Sequence, residues 1–257
     1  MTMSVFALLL SLLPVPVLLA YFTRGDRRLL RCELFWISAG LGFIAAMPIG
    51  LLEMALMRLV GASGSLDAYA ATHGFLFAAL PEEVGKYLIL MRFIVRHADF
   101  TRPPDAALFG LAISLGFATF ENFGYVAAAS DWTAVALLRD LTAVPMHAAA
   151  GFLMGFFAAR ALTDDGRRTL YGALALAAPL ALHGTYDFAV ITTSAALQHL
   201  HGHAALPAWI YAMLLCLALA AIGLCGWFVP RLPLEEARDL GFAVRVAARL
   251  AARTTGR

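Results

Sequence analysis

Long apolar segments recur along the whole chain, and they constrain its fold more than any other feature. A helix rises about 1.5 Å per residue, so about 20 apolar residues cross the roughly 30 Å hydrocarbon core of a bilayer. Of the 257 residues, 61% are hydrophobic and 14% are charged, and the mean hydropathy is +0.79. Soluble domains do not need so apolar a composition. The segments cover residues 4–22, 34–56, 69–95, 105–129, 134–159, 169–192 and 205–229. We therefore predict an all-α, polytopic integral membrane protein, a helical bundle of about seven transmembrane helices.

The basic residues indicate how this bundle is oriented, because loops that face the cytoplasm collect Lys and Arg. The first connection holds four arginines, the third and fifth hold three each, and the chain after the last segment holds six. The second, fourth and sixth connections hold none. This alternation predicts an N-terminus outside the cell and a C-terminus in the cytoplasm. The protein is then a multi-pass protein of the plasma membrane.

The domain organisation is simple. We expect one polytopic membrane domain over residues 1–232 and a basic tail over residues 233–257. In the tail, apolar positions alternate with arginines in a pattern that predicts an amphipathic helix lying on the inner leaflet, with its arginines against anionic lipid headgroups. The formal net charge of +2 follows from membrane topology. We therefore expect no nucleic-acid partner.

Seven ionisable residues lie deep inside the predicted helices. A charge at bilayer depth costs roughly 2.5–3.5 kcal/mol on insertion scales, so such groups are tolerated where they pair or face a wet cavity. Counted at about 1.5 Å per residue from the outer ends of four consecutive helices, their depths overlap. The residues are Glu82, Glu83, Lys86, Glu121, His147, His183 and Asp187. We predict that they form one cluster between the membrane centre and the outer face.

The local spacing of these residues favours a chemical site. Asp187 follows His183 by four residues, and Lys86 follows the two glutamates by four and three, so each set shares a helix face. Lys86 can neutralise only one glutamate, which leaves the other suited to exchange protons. Two histidines and a carboxylate are the ligand set of a catalytic zinc site, and a glutamate beside the bound water could act as general base.

Two other interpretations of the buried charges stay open at this point. They could be structural hydrogen-bonding pairs, or they could relay protons or bind a cation in a proton- or cation-coupled transporter or channel. The sequence lacks the paired, interrupted helices in two matching halves that such carriers often show. We expect charged residues nearer the helix ends to take no part in the site: Glu53 lies towards the outer end of its helix, and Arg139 and Asp140 are expected to pair with each other.

Four short motifs carry a resemblance to a known family. They are Glu-Glu-x-x-Lys at 82–86, Phe-x-x-x-Glu-Asn at 117–122, a His followed by small residues and Gly at 147–151, and His-x-x-x-Asp at 183–187. In this order, over about 106 residues, they resemble the PrsW family of intramembrane proteases, which is related to the CAAX prenyl endoproteases. The prenyl-protease relatives carry His where this chain has Glu121 and Asn where it has Asp187. Both differences favour the PrsW branch.

The resemblance implies a bacterial, metal-dependent peptidase that hydrolyses a bond in a single-span membrane protein, such as an anti-sigma factor. By the same resemblance, Glu82 would hold or activate the attacking water, and Glu83 would pair with Lys86. Asp187 would orient His183 or act in the surroundings of the oxyanion. The implied metal ligands are Glu121, His147 and His183, and zinc is the expected metal.

Overall fold

The computed structural model describes residues 5–24, 27–60 and 65–201, together with the single positions 220 and 223. The described residues form nine α-helices and contain no strand. The helices are α1 Val5–Leu12, α2 Pro14–Phe22, α3 Glu33–Val60, α4 Leu66–Ala71, α5 Leu80–Ile89, α6 Ala106–Ala128, α7 Trp132–Leu141, α8 Ala143–Thr163 and α9 Arg168–His201. Short 3₁₀ turns lie at Arg28–Arg31, Pro103–Asp105 and Asp165–Arg167. The all-α fold predicted from the sequence is confirmed.

Four stretches are long and apolar enough to cross a membrane, namely Glu33–Leu59, Pro103–Ala128, Trp132–Thr163 and Asp165–Thr192. These apolar helices fit a membrane protein. The total of seven spans and the orientation of the termini stay predictions. The seventh predicted span and the basic tail lie outside the described residues, apart from the isolated positions 220 and 223.

The third predicted span contains two stretches of π-helix. The chain runs through α4, a π-helix at Thr72–Ala79, α5 and a second π-helix at Leu90–Ile94 without a loop. Such wide turns often mark functional sites. A Cβ added at Gly74 would lie 2.9 Å from the backbone nitrogen of Phe188 and 3.1 Å from Cβ of Asp187. The glycine therefore lets the first π-helix pack directly on α9, which brings the glutamates of α5 close to His183.

Helices α6 and α8 form the buried centre of the bundle. They pack against each other through small residues, since a Cβ added at Gly110 would collide with the carbonyl oxygen of Gly151, and one at Gly155 with that of Ala106. Helix α3 packs on the other side of α6, and α9 packs on α8. Buried aromatic rings, including Phe109 and Phe152, fill the core. This close packing holds α5, α6, α8 and α9 at one level, where their polar residues meet.

Prolines explain where two predicted spans are interrupted. The first span is divided at Leu13, and α2 begins at Pro14, where a proline is tolerated because first-turn N–H groups have no helical partner. The fifth predicted span, residues 134–159, lies within the candidate membrane stretch Trp132–Thr163, and a break at Thr142 divides it into α7, which ends at Leu141, and α8, which begins at Ala143. Pro145 has no N–H, and its ring would clash with the carbonyl of Leu141 in a continuous helix.

The sixth predicted span, residues 169–192, lies within the candidate membrane stretch Asp165–Thr192, and helix α9 continues beyond it to His201.

Candidate active site

Lys86 lies at the centre of the polar cluster and is fully buried. Its Nζ donates to Oε2 of Glu82 and Oε1 of Glu83, each at 2.9 Å, and to Nδ1 of His147 at 3.2 Å. An ammonium group has three N–H donors, so all of them are used. The Nζ atom also lies 4.2 Å from the ring centroid of Phe117, a favourable cation–π position. The lysine thus bridges both glutamates instead of pairing with one.

Each of the two histidines contacts other residues of the cluster through both of its ring nitrogens. Nδ1 of His183 lies 2.8 Å from Oε1 of Glu83, and its Nε2 lies 3.2 Å from Oδ2 of Asp187. His147 accepts from Lys86 at Nδ1, and its Nε2 lies 2.8 Å from Oε2 of Glu121. Nδ1 of His183 therefore faces Glu83 and Nδ1 of His147 faces Lys86, whereas each Nε2 faces a carboxylate outside the Glu82–Glu83 pair.

All seven residues singled out in the sequence meet in this cluster. They come from α5, α6, α8 and α9, as expected from their predicted depths. Glu82, Glu83, Lys86, His147 and His183 are buried, and the side chains of Glu121 and Asp187 are 18% and 20% exposed. The catalytic and ligand roles of these residues stay predictions.

A cavity of about 400 Å³ opens beside the cluster. Its polar wall includes Glu82, Glu121, His147, His183 and Asp187. Its apolar wall includes Met57, Leu138, Met146, Val190 and Ile191. Of Glu82, Glu83 and Lys86, only Glu82 lines the cavity. Glu83 and Lys86 are fully buried away from it. A reactant in the cavity would therefore meet Glu82 first.

Arg139 belongs to this site, although its place in the sequence predicted a pair with Asp140 near a helix end. The expected pair with Asp140 is wrong: Arg139 donates from Nε to Oδ1 of Asn122 at 2.8 Å and from Nη2 to Oε2 of Glu121 at 3.4 Å. Asp140 accepts at Oδ1 from Nδ2 of Asn122 at 2.8 Å. Adjacent helical residues point in directions about 100° apart, so the two side chains diverge. An arginine inside an apolar span was the signal that could have found it.

Glu53 also lines the cavity, although its place towards a helix end predicted no part in the site. Its Oε1 is buried and has no hydrogen-bond partner among the described residues. The residue lies in α3, one turn before Met57, so both face the same side of the bundle. The last turns of α3 border the cavity, so a residue near the end of this helix can still face the site.

Comparison with known proteins decides the family. The chain matches the model of the PrsW family, described as PrsW family intramembrane metalloprotease, over residues 31–221. The chain belongs to the PrsW family. It is 34% identical over 175 residues to Protease PrsW of Bacillus subtilis (strain 168), which covers 68% of this chain and 71% of that protein. It is 32% identical over 185 residues to Protease PrsW of Geobacillus kaustophilus (strain HTA426), which covers 69% and 76%. No solved structure matches the chain significantly.

Membership in the PrsW family identifies the chain as an intramembrane peptidase, as the four motifs indicated. The comparisons do not favour the transporter or channel alternative. All four motifs contribute to the cluster: Glu82, Glu121, His147 and His183 come from different motifs and all line one cavity.

The PrsW-family cluster has the donor atoms of a metal site. Glu82, Glu83, His147 and His183 each offer one ligand atom, and these atoms lie within 4.8 Å of one another. Oε2 of Glu83 is buried without a hydrogen-bond partner among the described residues, which leaves it free to bind a cation. Four carboxylates of the cluster, those of Glu82, Glu83, Glu121 and Asp187, face two fixed cations, Lys86 and Arg139. A divalent ion would balance the remaining charge, so the residues fit a metal.

Proposed function

We propose that this PrsW-family peptidase hydrolyses a peptide bond of a single-span membrane protein, with Glu82 as the general base. The observation that carries the proposal is the position of Glu82, which lines the cavity while Lys86, which does not line it, donates to its carboxylate. A base must reach the water or proton it takes, and a carboxylate on the cavity wall can do so.

The chemistry follows from these positions. Glu82 takes a proton from water, the water oxygen bonds to the carbonyl carbon, and the carbonyl π electrons move to oxygen. The electron pair on that oxygen then re-forms the C=O bond as the C–N bond breaks, and Glu82 gives the proton to the leaving nitrogen. The products are a carboxylic acid and an amine, and the acid passes its proton to the amine, which leaves a carboxylate and an ammonium group. Lys86 offsets the charge of the glutamate pair, and its hydrogen bond of 2.9 Å orients the Glu82 carboxylate.

We propose that His147, His183 and Glu83 hold the metal, for which zinc is the candidate. When bound, zinc would polarise the carbonyl and make the water more acidic. Glu121 and Asp187 would then orient the two histidines through Nε2, as carboxylates commonly do for histidine ligands. This proposal replaces Glu121 with Glu83 in the ligand set that the family resemblance implied, because Glu121 lies at the far nitrogen of His147.

The proposal also includes a substrate and a cellular location. The apolar wall of the cavity suits a membrane-embedded polypeptide, and the family resemblance suggests an anti-sigma factor. We place the protein in the bacterial plasma membrane, with the N-terminus outside and the tail of residues 233–257 on anionic headgroups of the inner leaflet.

The proposed function can be tested with a pool of single-span reporters. Each reporter carries an extracellular tag, one natural transmembrane segment with its flanks, and a cytoplasmic fluorescent protein, and is co-expressed with the peptidase in bacteria. We expect the wild type to cut at least one reporter, and Glu82→Ala and His183→Ala to abolish the cut while accumulating normally. Glu33→Ala, an exposed glutamate in the first turn of α3, is the matched control and should cut normally. Full activity in both Glu82→Ala and His183→Ala would overturn the proposal.

The metal is tested separately by elemental mass spectrometry of the protein purified in detergent. We expect about one zinc per chain in the wild type and its loss in His147→Ala and His183→Ala, with the fold intact by circular dichroism. A wild-type protein that holds no metal, even after zinc is supplied, would contradict the metal part of the proposal and leave a hydrolase that uses carboxylates alone.

A further inference from the structure

Arg139 is a cation on the wall of the reaction cavity for which neither the sequence motifs nor the comparisons provide a role. It lies in the last turn of α7, and its side chain is 13% exposed. The guanidinium carbon lies 4.0 Å from the ring centroid of Tyr125, and Nε is held by Asn122 at 2.8 Å. The group is therefore fixed in position beside the proposed chemistry.

The hydrogen bonds of Arg139 leave donors for a ligand. A guanidinium has five N–H donors, and the contacts to Asn122 and Glu121 use two of them. Nη1 makes no hydrogen bond to any residue in the described part of the chain. Lys86 differs, because its three donors are all engaged and it lies behind the cavity wall. Of these two fixed cations, Arg139 alone can reach a reactant.

The surroundings of Arg139 make it rigid. Asn122, which accepts from Nε, is fully buried and donates from Nδ2 to the backbone oxygen of Ser11 at 3.1 Å and to Asp140 at 2.8 Å. These contacts join α1, α6 and α7 around the guanidinium. A donor that is held in place before the reaction loses little free energy to reorganisation when charge develops near it.

We propose that Arg139 is a catalytic residue that binds the oxygen of the scissile carbonyl and stabilises the negative charge that forms there. The proposal rests on the proposed peptidase chemistry and adds its oxyanion-binding group. As the water oxygen bonds to carbon, the carbonyl π electrons move to oxygen, and the guanidinium donates hydrogen bonds to that oxygen. Removing one such donor commonly lowers kcat by about 10²–10³-fold. The carboxylate of Asp187 cannot donate to an oxyanion, so it does not compete for this role.

The test compares Arg139→Ala and Arg139→Lys with the wild type, using a purified reporter that the wild type cuts in a Glu82-dependent manner. We expect kcat of Arg139→Ala to fall by about 10²–10³-fold with KM changed by less than about 3-fold, because the contact strengthens in the transition state. Arg139→Lys should retain an intermediate kcat. Arg58→Ala, an exposed arginine of α3 that does not line the cavity, is the matched control and should match the wild type.

Chemical rescue separates this role from a purely structural one. Guanidinium ion at millimolar concentration should enter the space left in Arg139→Ala and restore part of kcat, whereas urea, which is similar in shape but neutral, should not. Zinc content should be the same in the wild type and Arg139→Ala.

Three results would overturn the inference: wild-type kcat in Arg139→Ala, a rise in KM alone, or no rescue of the folded variant by guanidinium. If Arg139→Ala fails to accumulate, the same kinetic comparison is made with Arg139→Lys, and a wild-type kcat there counts against the inference. The absence of any Glu82-dependent cut by the wild type would instead remove the proposed function, and the inference with it.

Discussion

The imidazole rings of His147 and His183 lie edge to face, with 4.8 Å between their centroids and an angle of 79° between their planes. Nε2 of His147 lies 2.8 Å from Glu121, and Nε2 of His183 lies 3.2 Å from Asp187. Nδ1 of His183 faces Glu83, and Nδ1 of His147 faces Lys86, the cation between the two buried glutamates. This is the arrangement in which an outer carboxylate holds a histidine ligand in the right orientation and tautomer. In the proposed metal site, Glu121 and Asp187 would have this orienting role.

The carboxylates of Glu121 and Asp187 should control the affinity of the site for zinc. Glu121→Gln and Asp187→Asn each keep the side-chain size but weaken the contact to Nε2, so we expect zinc to bind about 10–100-fold more weakly in each. The measurement is competition for zinc against a chelating dye in detergent. Asp67→Asn, an exposed aspartate in the first turn of α4, is the matched control. Wild-type zinc affinity in both variants would count against the proposed orienting role.

Lys86 should be essential for stability because it is the cation between two buried carboxylates. Lys86→Met leaves those carboxylates without their partner, and breaking a buried pair in this way typically destabilises a protein by about 3–5 kcal/mol. We expect a lower unfolding temperature in detergent and lower abundance in membranes.

A second substitution tests whether the loss comes from charge. The double variant Lys86→Met with Glu83→Gln removes one unpaired carboxylate, so it should be more stable than Lys86→Met alone. Strict additivity of the two single effects in a double-mutant cycle would contradict a direct interaction between these residues.

The contact between α6 and α8 should not tolerate a methyl group. A Cβ at Gly151 would collide with the carbonyl oxygen of Gly110 and with Oγ of Ser114, so Gly151→Ala should push the helices apart and lower the unfolding temperature. Gly124→Ala in α6 is the control, since nothing lies within 4 Å of its Cβ position. We expect that substitution to be neutral or stabilising by about 0.5–1 kcal/mol. Equal effects of the two substitutions would argue against the close packing.

The predicted orientation can be measured by cysteine labelling in intact cells. The three native cysteines are first replaced by alanine. A cysteine introduced at Ser130, between α6 and α7, should react with a maleimide that cannot cross membranes. A cysteine introduced at Asp165, between α8 and α9, should react only after the membrane is permeabilised. The reverse pattern would show that the arginine-rich loops face outward.

Several features of this protein could be predicted from local sequence. Apolar length predicts helices wherever about 20 such residues occur together, because the bilayer core has a fixed thickness. The cluster could also be predicted, because buried charges need partners and the available ones occur at overlapping depths in four helices. The four motifs and their order were enough to indicate the family to which the comparisons assign the chain.

Residue contacts between helices could not be predicted in the same way. The positions of the helices in the sequence do not determine how far each helix is rotated about its axis. That rotation decides which side chains face the cavity. Arg139 illustrates this, because the break before α8 and the direction of α7 place it against Glu121 and Asn122. Glu53 is a second example, because the packing of α3 against the bundle is what brings it to the cavity.

The sequence by itself determined the helical, membrane-suited fold and the membership of the polar cluster, because hydrophobic length and buried charge are properties of single helices. Only the tertiary structure decided which glutamate faces the cavity, which nitrogen of each histidine faces the centre, and that Arg139 joins them. These features depend on distances of about 3 Å between side chains from different helices, and such distances follow from packing in three dimensions.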